Sequence, residues 1–226
     1  MDTATRITQK KYMQVGHQFE FYIRESDARL RTDENIIIHL DGVDFTHKYY
    51  RQLSADTKEA VVKALVTASQ NICESVSSVG IAYCFSDEVS FVLLGKDIDA
   101  NEHNRIGKLL SKFTSLLTLY FHLELEKIGK KELAELMKNG IFSAKIFNLP
   151  KAMVDSYLKW RQQACQKLIC DRKENPMEKS NEERFGCLIK MQDAKWQEVS
   201  VDFSNAKFTM NPQGPYINIT KTEGKK

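Results

Sequence analysis

Two acidic clusters in this 226-residue chain stand where metal chemistry would need them. Asp41 ends the apolar run NIIIHLD and precedes Gly42, and Ser86, Asp87 and Glu88 separate the apolar runs VGIAYCF and VSFVLL. Carboxylate oxygens are hard ligands. A pair of them beside a glycine with an accessible carbonyl suits Mg²⁺, with substrate phosphates completing the octahedron. Two such ions about 4 Å apart serve in-line phosphoryl or nucleotidyl displacement. Asp-Gly and Ser-Asp-Glu are also ordinary turn sequences, and that reading accounts for either cluster alone. It accounts less well for both at one sheet edge, where like charges repel and raise each other's pKa.

Whether the clusters meet depends on the elements that carry them. Asn35 to Asp41 is a β-branched run between a polar stretch and Gly42, which reads as a central strand. Ser54 is placed to cap a helix in which Val61, Ala64, Leu65, Ala68, Ile72 and Val76 recur at helical spacing. Val79 to Phe85 and Val89 to Leu94 read as strands joined by the acidic turn. Arg105 to Lys127 reads as a second helix and Ile141 to Phe147 as a strand. The order strand, helix, strand, strand, helix, strand is the ferredoxin-like split unit, an α+β fold with helices over one face. Its first and third strands are the central pair, so Asp41 and Asp87 converge.

Beyond Pro150 the pattern predicts a helix with Tyr157, Leu158 and Trp160 on its packing face. A polar loop from Arg172 to Glu183 and strands over Arg184 to Gln192 and Lys195 to Phe203 follow. We expect residues 1–150 to form the catalytic domain with an N-terminal helix. Residues 151–226 then form a helix and β-hairpin extension packed on it, ending in a frayed KTEGKK.

With 33 Lys plus Arg against 30 Asp plus Glu, the net charge of +3 does not by itself announce a nucleic-acid binder. Five cysteines, four of them in apolar or helical contexts, imply reduced thiols rather than a disulfide framework. The chain carries no run of about 20 apolar residues to cross a membrane and no apolar leader, so the cytoplasm is the expected compartment.

The segments HLDGVDFTHKY, AYCFSDEVSFVL, SKF, FSAKIFNLP, YLKWRQQAC and RFGCL, in that order, resemble the tRNA-histidine guanylyltransferases and the wider group of Thg1-like polymerases. The resemblance spans about residues 35 to 190. It implies a palm domain that extends RNA at its 5′ end, in the 3′-5′ direction, using ATP or GTP for activation and nucleoside triphosphates for addition.

Carried over by position, Asp41 and Asp87 would hold two Mg²⁺ ions, with the Gly42 carbonyl completing one site and Glu88 matching the neighbouring acid. Asp41, Gly42, Val43, Asp44, Phe45 and Thr46, together with Ser86 and Asp87, would line the nucleotide phosphates. Lys112 matches a triphosphate-binding lysine, and Lys145 stands where many members have Arg. Family members are commonly tetramers, so a homo-oligomer is expected.

Two departures from the family pattern matter, the first putting histidine tRNA in doubt as the substrate and the second removing one phosphate contact. The chain continues QKLICDRK where the eukaryotic enzymes have HINNLYNT, and Leu109 stands where they carry Arg. The implied work is 5′-end repair of tRNA or tRNA-like RNA. A palm enzyme making a small nucleotide product and a non-catalytic RNA-binding module are the alternatives.

Overall fold

The computed structural model describes residues 28–98, 104–171, 175, 179–200, 202–210 and 217–221. Strand β1 (Asn35–Gly42) is followed by the short helix α1 (Phe45–Lys48) and the long helix α2 (Ala55–Ser75). Then come β2 (Val79–Phe85), β3 (Glu88–Leu94), α3 (Ile106–Lys127), α4 (Lys131–Met137) and β4 (Phe142–Leu149). Helix α5 (Val154–Asp171) and the short α6 (Asn181–Phe185) lead into β5 (Cys187–Gln192), β6 (Lys195–Val199), β7 (Ala206–Met210) and β8 (Ile217–Lys221).

The main sheet is antiparallel with strand order β4-β1-β3-β2-β5-β6. Its first four strands are in the expected ferredoxin-like order, and β1 and β3 lie side by side. The β5–β6 hairpin is not a separate appendage. It pairs along the outer edge of β2, with Tyr83 opposite Leu188 and Cys84 opposite Cys187. Segments before and after residue 150 therefore share one sheet.

Both faces of that sheet are covered. Side chains alternate along a strand, so Ile36, Ile38 and Leu40 enter the larger core beneath α2 and α3, while Ile37 joins Tyr83, Phe85 and Val92 in a second core under α5. The expectation of helices on one face alone is thus corrected. The signal was in β1, whose consecutive Ile36, Ile37 and Ile38 are all fully buried, which requires cover on both sides. Each such Ile contributes about 2 kcal/mol on burial.

The Ser54 cap is present, its Oγ accepting from the Thr57 N–H, a contact worth about 1 kcal/mol. Three other boundaries shift. Ser180 and Glu183 form a reciprocal capping box that starts α6 inside the stretch expected to be a loop. The following strand then starts at Cys187 rather than Arg184, because Gly186 ends α6 at φ 70°. A Cβ there would meet the Tyr83 hydroxyl at 2.6 Å and the Cys84 carbonyl at 2.7 Å. The next strand stops at Val199, and Phe203 instead begins a 3₁₀ turn that packs its ring on Tyr83. The β7–β8 hairpin was not expected. The N-terminal helix falls on residues outside those described, as do the last five residues of the tail.

Candidate active site

The acidic clusters are joined through the backbone. Asp41 on β1 pairs in register with Glu88 on β3 and with Ser143 on β4. The turn between β2 and β3 consists of Ser86 and Asp87 alone, with Ser86 at φ 52° and its hydroxyl donating to Asp87 Oδ1 at 2.8 Å. The Gly42 N–H donates to the Asp87 carbonyl at 3.1 Å, tying the end of β1 to that turn. Asp87 is 9% exposed, whereas Asp41 faces solvent.

Gly42 is required by the ring beneath it. A Cβ at this position would lie 2.4 Å from Phe45 Cγ. Phe45 is wedged against Tyr49, Phe121 and Phe142 and cannot give way. Gly42→Ala is expected to cost about 2 kcal/mol in urea unfolding, as overpacked cores do, and to displace the Asp41 carboxylate. Unchanged stability would show that the turn tolerates the methyl group.

Two residues back along each strand lies a polar network that sequence reasoning did not assign. His39 on β1 pairs with Ser90 on β3, and its Nδ1 lies 3.0 Å from Ser90 Oγ, which in turn is 2.9 Å from the Tyr157 hydroxyl on α5. His39 Nε2 lies 3.6 Å from Glu88 Oε2. Arg161 on α5, only 8% exposed, donates to that same Glu88 oxygen and stacks over the Phe85 ring. The available signal was polar residues at alternate positions inside apolar strands, and an Arg four residues after a Tyr on one helix face.

Burial dominates the electrostatics. It pushes the Glu88 carboxyl up to about 7, against the pull of Arg161 and with help from Asp41 and Asp87. The Asp41 carboxyl is also raised, partial burial outweighing the positive charges of Lys145 and Arg161. His39 is driven down to about 4 by burial and then by Arg161 and Lys145, so it is neutral at physiological pH.

The Glu88 shift carries a stability signature. Between the ordinary 4.5 and about 7 the folded chain holds this proton more tightly than the unfolded chain. The stabilisation is therefore complete below about 4.5 and lost as pH rises through about 7. With 24% of the Glu88 side chain exposed, we expect wild type to lose about 2 kcal/mol relative to Glu88→Gln across that window. Parallel stability curves for the two proteins would refute the assignment.

The structure brings Asp41, Ser86, Asp87 and Glu88 together, with Lys145 on the same sheet face through its pairing with His39. Lys112 sits on α3 beside buried Phe113, in the helix layer over the opposite face.

Among the described residues no group of three His, Cys, Asp or Glu side chains could hold a metal ion. Glu88 is committed to Arg161, which leaves the carboxylates of Asp41 and Asp87 and the Gly42 carbonyl. That set of hard oxygens fits Mg²⁺, an ion often held by one or two carboxylates plus phosphates. Beside the turn opens a cavity of about 410 Å³ lined by Ser86, Tyr50, Val66 and Ile169, its charged residues including Lys58 and Lys63 but also Glu59, Glu182 and Glu198. Its size suits a small molecule. No helix among the described residues is long and apolar enough to cross a membrane.

A ferredoxin-like sheet with carboxylates at the β1 end and the β2–β3 turn defines a palm-type α+β domain. The chain belongs to the tRNAHis guanylyltransferase (Thg1) family, whose sequence profile matches residues 14–150. The tRNA(His) guanylyltransferase 1 of Arabidopsis thaliana is 26% identical over 132 residues, which is 58% of this chain and 23% of that protein. The chain thus spans about a quarter of the length of this curated relative.

Solved structures share the fold. A bacterial tRNA(HIS) guanylyltransferase (Thg1)-like protein in complex with ATP superposes with a TM-score of 0.67 at 19% identity, covering 82% of this chain and 92% of that one. A bacterial tRNA(HIS) guanylyltransferase (Thg1)-like protein in complex with GTP gives 0.66 at 20% identity, covering 82% and 91%. The tRNA(His) guanylyltransferase from Saccharomyces cerevisiae gives 0.59 at 16% identity, covering 80% and 94%.

Proposed function

We propose that this chain is a metal-dependent nucleotidyltransferase that adds nucleotides in the 3′-5′ direction to the 5′ end of tRNA or tRNA-like RNA. The observation that carries this reading is the hydrogen bond from the Gly42 N–H to the Asp87 carbonyl, which fixes two carboxylate-bearing strand ends side by side in a member of this family. Asp41, Asp87 and the Gly42 carbonyl are the residues suited to hold Mg²⁺, which when bound supplies charge neutralisation at phosphate oxygens and a lowered pKa for an attacking hydroxyl.

The chain's own contributions are positional. The Gly42 N–H bond to the Asp87 carbonyl holds the end of β1 beside the turn. The backbone from Val43 to Thr46 turns through Asp44 at φ 57° beside the carboxylates, and Ser86 lines the adjoining cavity. That cavity is suited to the base and ribose of an ATP or GTP whose phosphates reach Asp87. Lys145 adds positive charge on the carboxylate face, as a point charge rather than a bidentate fork. Arg161 holds Glu88 out of the ligand set, so Glu88 acts by shaping the field at Asp41 and Asp87. Lys112, on α3, would reach a triphosphate only from the far side of the sheet edge.

The test is incubation with 5′-truncated, 5′-monophosphorylated tRNAs and labelled nucleoside triphosphates in Mg²⁺. Label at the 5′ end of the RNA is the expected result. Label found only in a small nucleotide product would favour the alternative enzyme. The absence of the HINNLYNT stretch leads us to expect several tRNAs to be accepted. A preference for histidine tRNA above about tenfold, roughly 1.4 kcal/mol, would place selectivity elsewhere in the chain.

A further inference from the structure

Trp160 is 57% exposed, more than any other large apolar side chain among the described residues. Helical spacing assigned it to the packing face of α5 together with Tyr157 and Leu158, and the structure separates them. Tyr157 and Leu158 are buried in the core under α5, while Trp160 projects from it. An indole left in water at this position calls for a partner.

It is also held still. The Arg161 guanidinium lies 4.6 Å from the centre of the Trp160 ring. The Tyr157 ring stands 5.9 Å away, tilted by 52°, and Phe147, itself 37% exposed, packs edge-on against Tyr157 at 5.9 Å. Arg161 is in turn fixed by Glu88 of the acidic cluster. The indole is therefore one side chain away from Glu88 of the acidic cluster rather than on a remote surface.

The segment that carries it is rich in cations. From Lys145 to Arg161 the chain carries Lys145, Lys151, Lys159 and Arg161 against the single acid Asp155. Lys159 is paired with Asp155 at 2.9 Å, and Lys145 and Lys151 are exposed. Phe147 and Lys145 both point to the sheet face that carries Asp41, being alternate residues of β4 opposite Ile37 and His39. Aromatic faces set among cations are the usual means of holding single-stranded nucleic acid, the bases stacking and the phosphates meeting the charges. Sequence-tolerant stacking suits unpaired strand ends.

We propose that Trp160, backed by Tyr157 and Phe147, is a stacking platform for an unpaired base of the RNA strand presented to the acidic cluster, with Lys145 and Lys151 meeting its phosphates. This rests on the functional reading above and adds to it a residue that positions RNA without touching the reacting atoms.

The chain has two tryptophans. A Trp196→Phe background therefore leaves Trp160 as the sole indole reporter. Titration with a short single-stranded RNA is expected to quench its emission, and a blunt RNA duplex of equal length much less. In the wild-type background, Trp160→Ala is expected to weaken binding of the single strand about tenfold and Trp160→Phe less than threefold. Neither should change ATP affinity or melting temperature.

Single-strand affinity unchanged in Trp160→Ala would overturn the proposal. So would quenching by ATP alone, or an emission change driven by protein concentration without RNA, which would assign this face to a second copy of the chain. RNA binding and 5′ incorporation with a silent Trp160 would sink only this inference. No RNA binding and no incorporation by wild type would remove the functional reading, and this inference with it.

Discussion

Replacing Asp87 by Ala is expected to reduce nucleotide incorporation by at least about a hundredfold while leaving the melting temperature within a few degrees of wild type. The rate follows from the place in the ligand set proposed for Asp87, since residues that merely orient metal ligands are worth 10- to 100-fold and a direct ligand should exceed that. The retained fold follows from the contact Asp87 makes. The bond that joins the turn to β1 runs from the Gly42 N–H to the Asp87 backbone carbonyl, which alanine keeps. The side chain gives up one acceptor interaction with the Ser86 hydroxyl and removes a negative charge that raises the Glu88 pKa. Less repulsion in the metal-free protein offsets the lost hydrogen bond. Incorporation assays in Mg²⁺ beside thermal melts decide the matter, and near-wild-type turnover would refute the assignment.

The second large effect concerns stability. Arg161→Met should cost about 3 kcal/mol at pH 8, because it leaves the half-buried Glu88 carboxylate without its counter-charge. Methionine keeps much of the apolar stem that packs near Phe85, so the loss reports the charge more than the volume. Two controls separate that cause from simple repacking. Adding Glu88→Gln to the same chain removes the stranded charge and should recover more than half of the loss. At pH 5.5, below the Glu88 pKa of about 7, the carboxyl is mostly protonated and the cost of Arg161→Met should shrink. A penalty equal at both pH values, untouched by the second substitution, would mean that Arg161 serves through packing and its contacts with rings.

Most of what was legible in the sequence came from strong periodicity and from turn chemistry. The apolar runs VGIAYCF and VSFVLL, separated by three polar residues, located a hairpin whose turn the structure reduces to Ser86 and Asp87. Ser54 located the start of α2 to the residue. That the ends of β1 and β3 lie side by side followed from topology alone, because the two strands are neighbours in this strand order.

What stayed hidden depended on contacts between distant segments. The Glu88–Arg161 pair joins residues 73 positions apart, and no local spacing marks it. Trp160 read as a packing residue because a helical stripe fixes which residues share a face, not how far that face extends beyond its support. The β5–β6 hairpin looked like an appendage because a strand's apolar pattern does not name its neighbour. That choice is made by the open edge of β2.

The way that edge is closed bears on how the protein can be cut. A fragment ending at Pro150 would keep every residue of the acidic cluster, yet strip β2 of its partner and uncover Tyr83 and Phe85, both buried in the intact chain. The exposed ladder would present unused backbone donors and acceptors next to aromatic side chains, a template for joining other copies edge to edge. Such a truncated palm should precipitate or form inclusion bodies rather than report on catalysis. In the full chain that hazard moves outward to β6, whose Lys195 and Glu198 place charges of both signs on the sheet's last strand and discourage further growth. The C-terminal hairpin is thus as much a guard against self-association as a part of the fold.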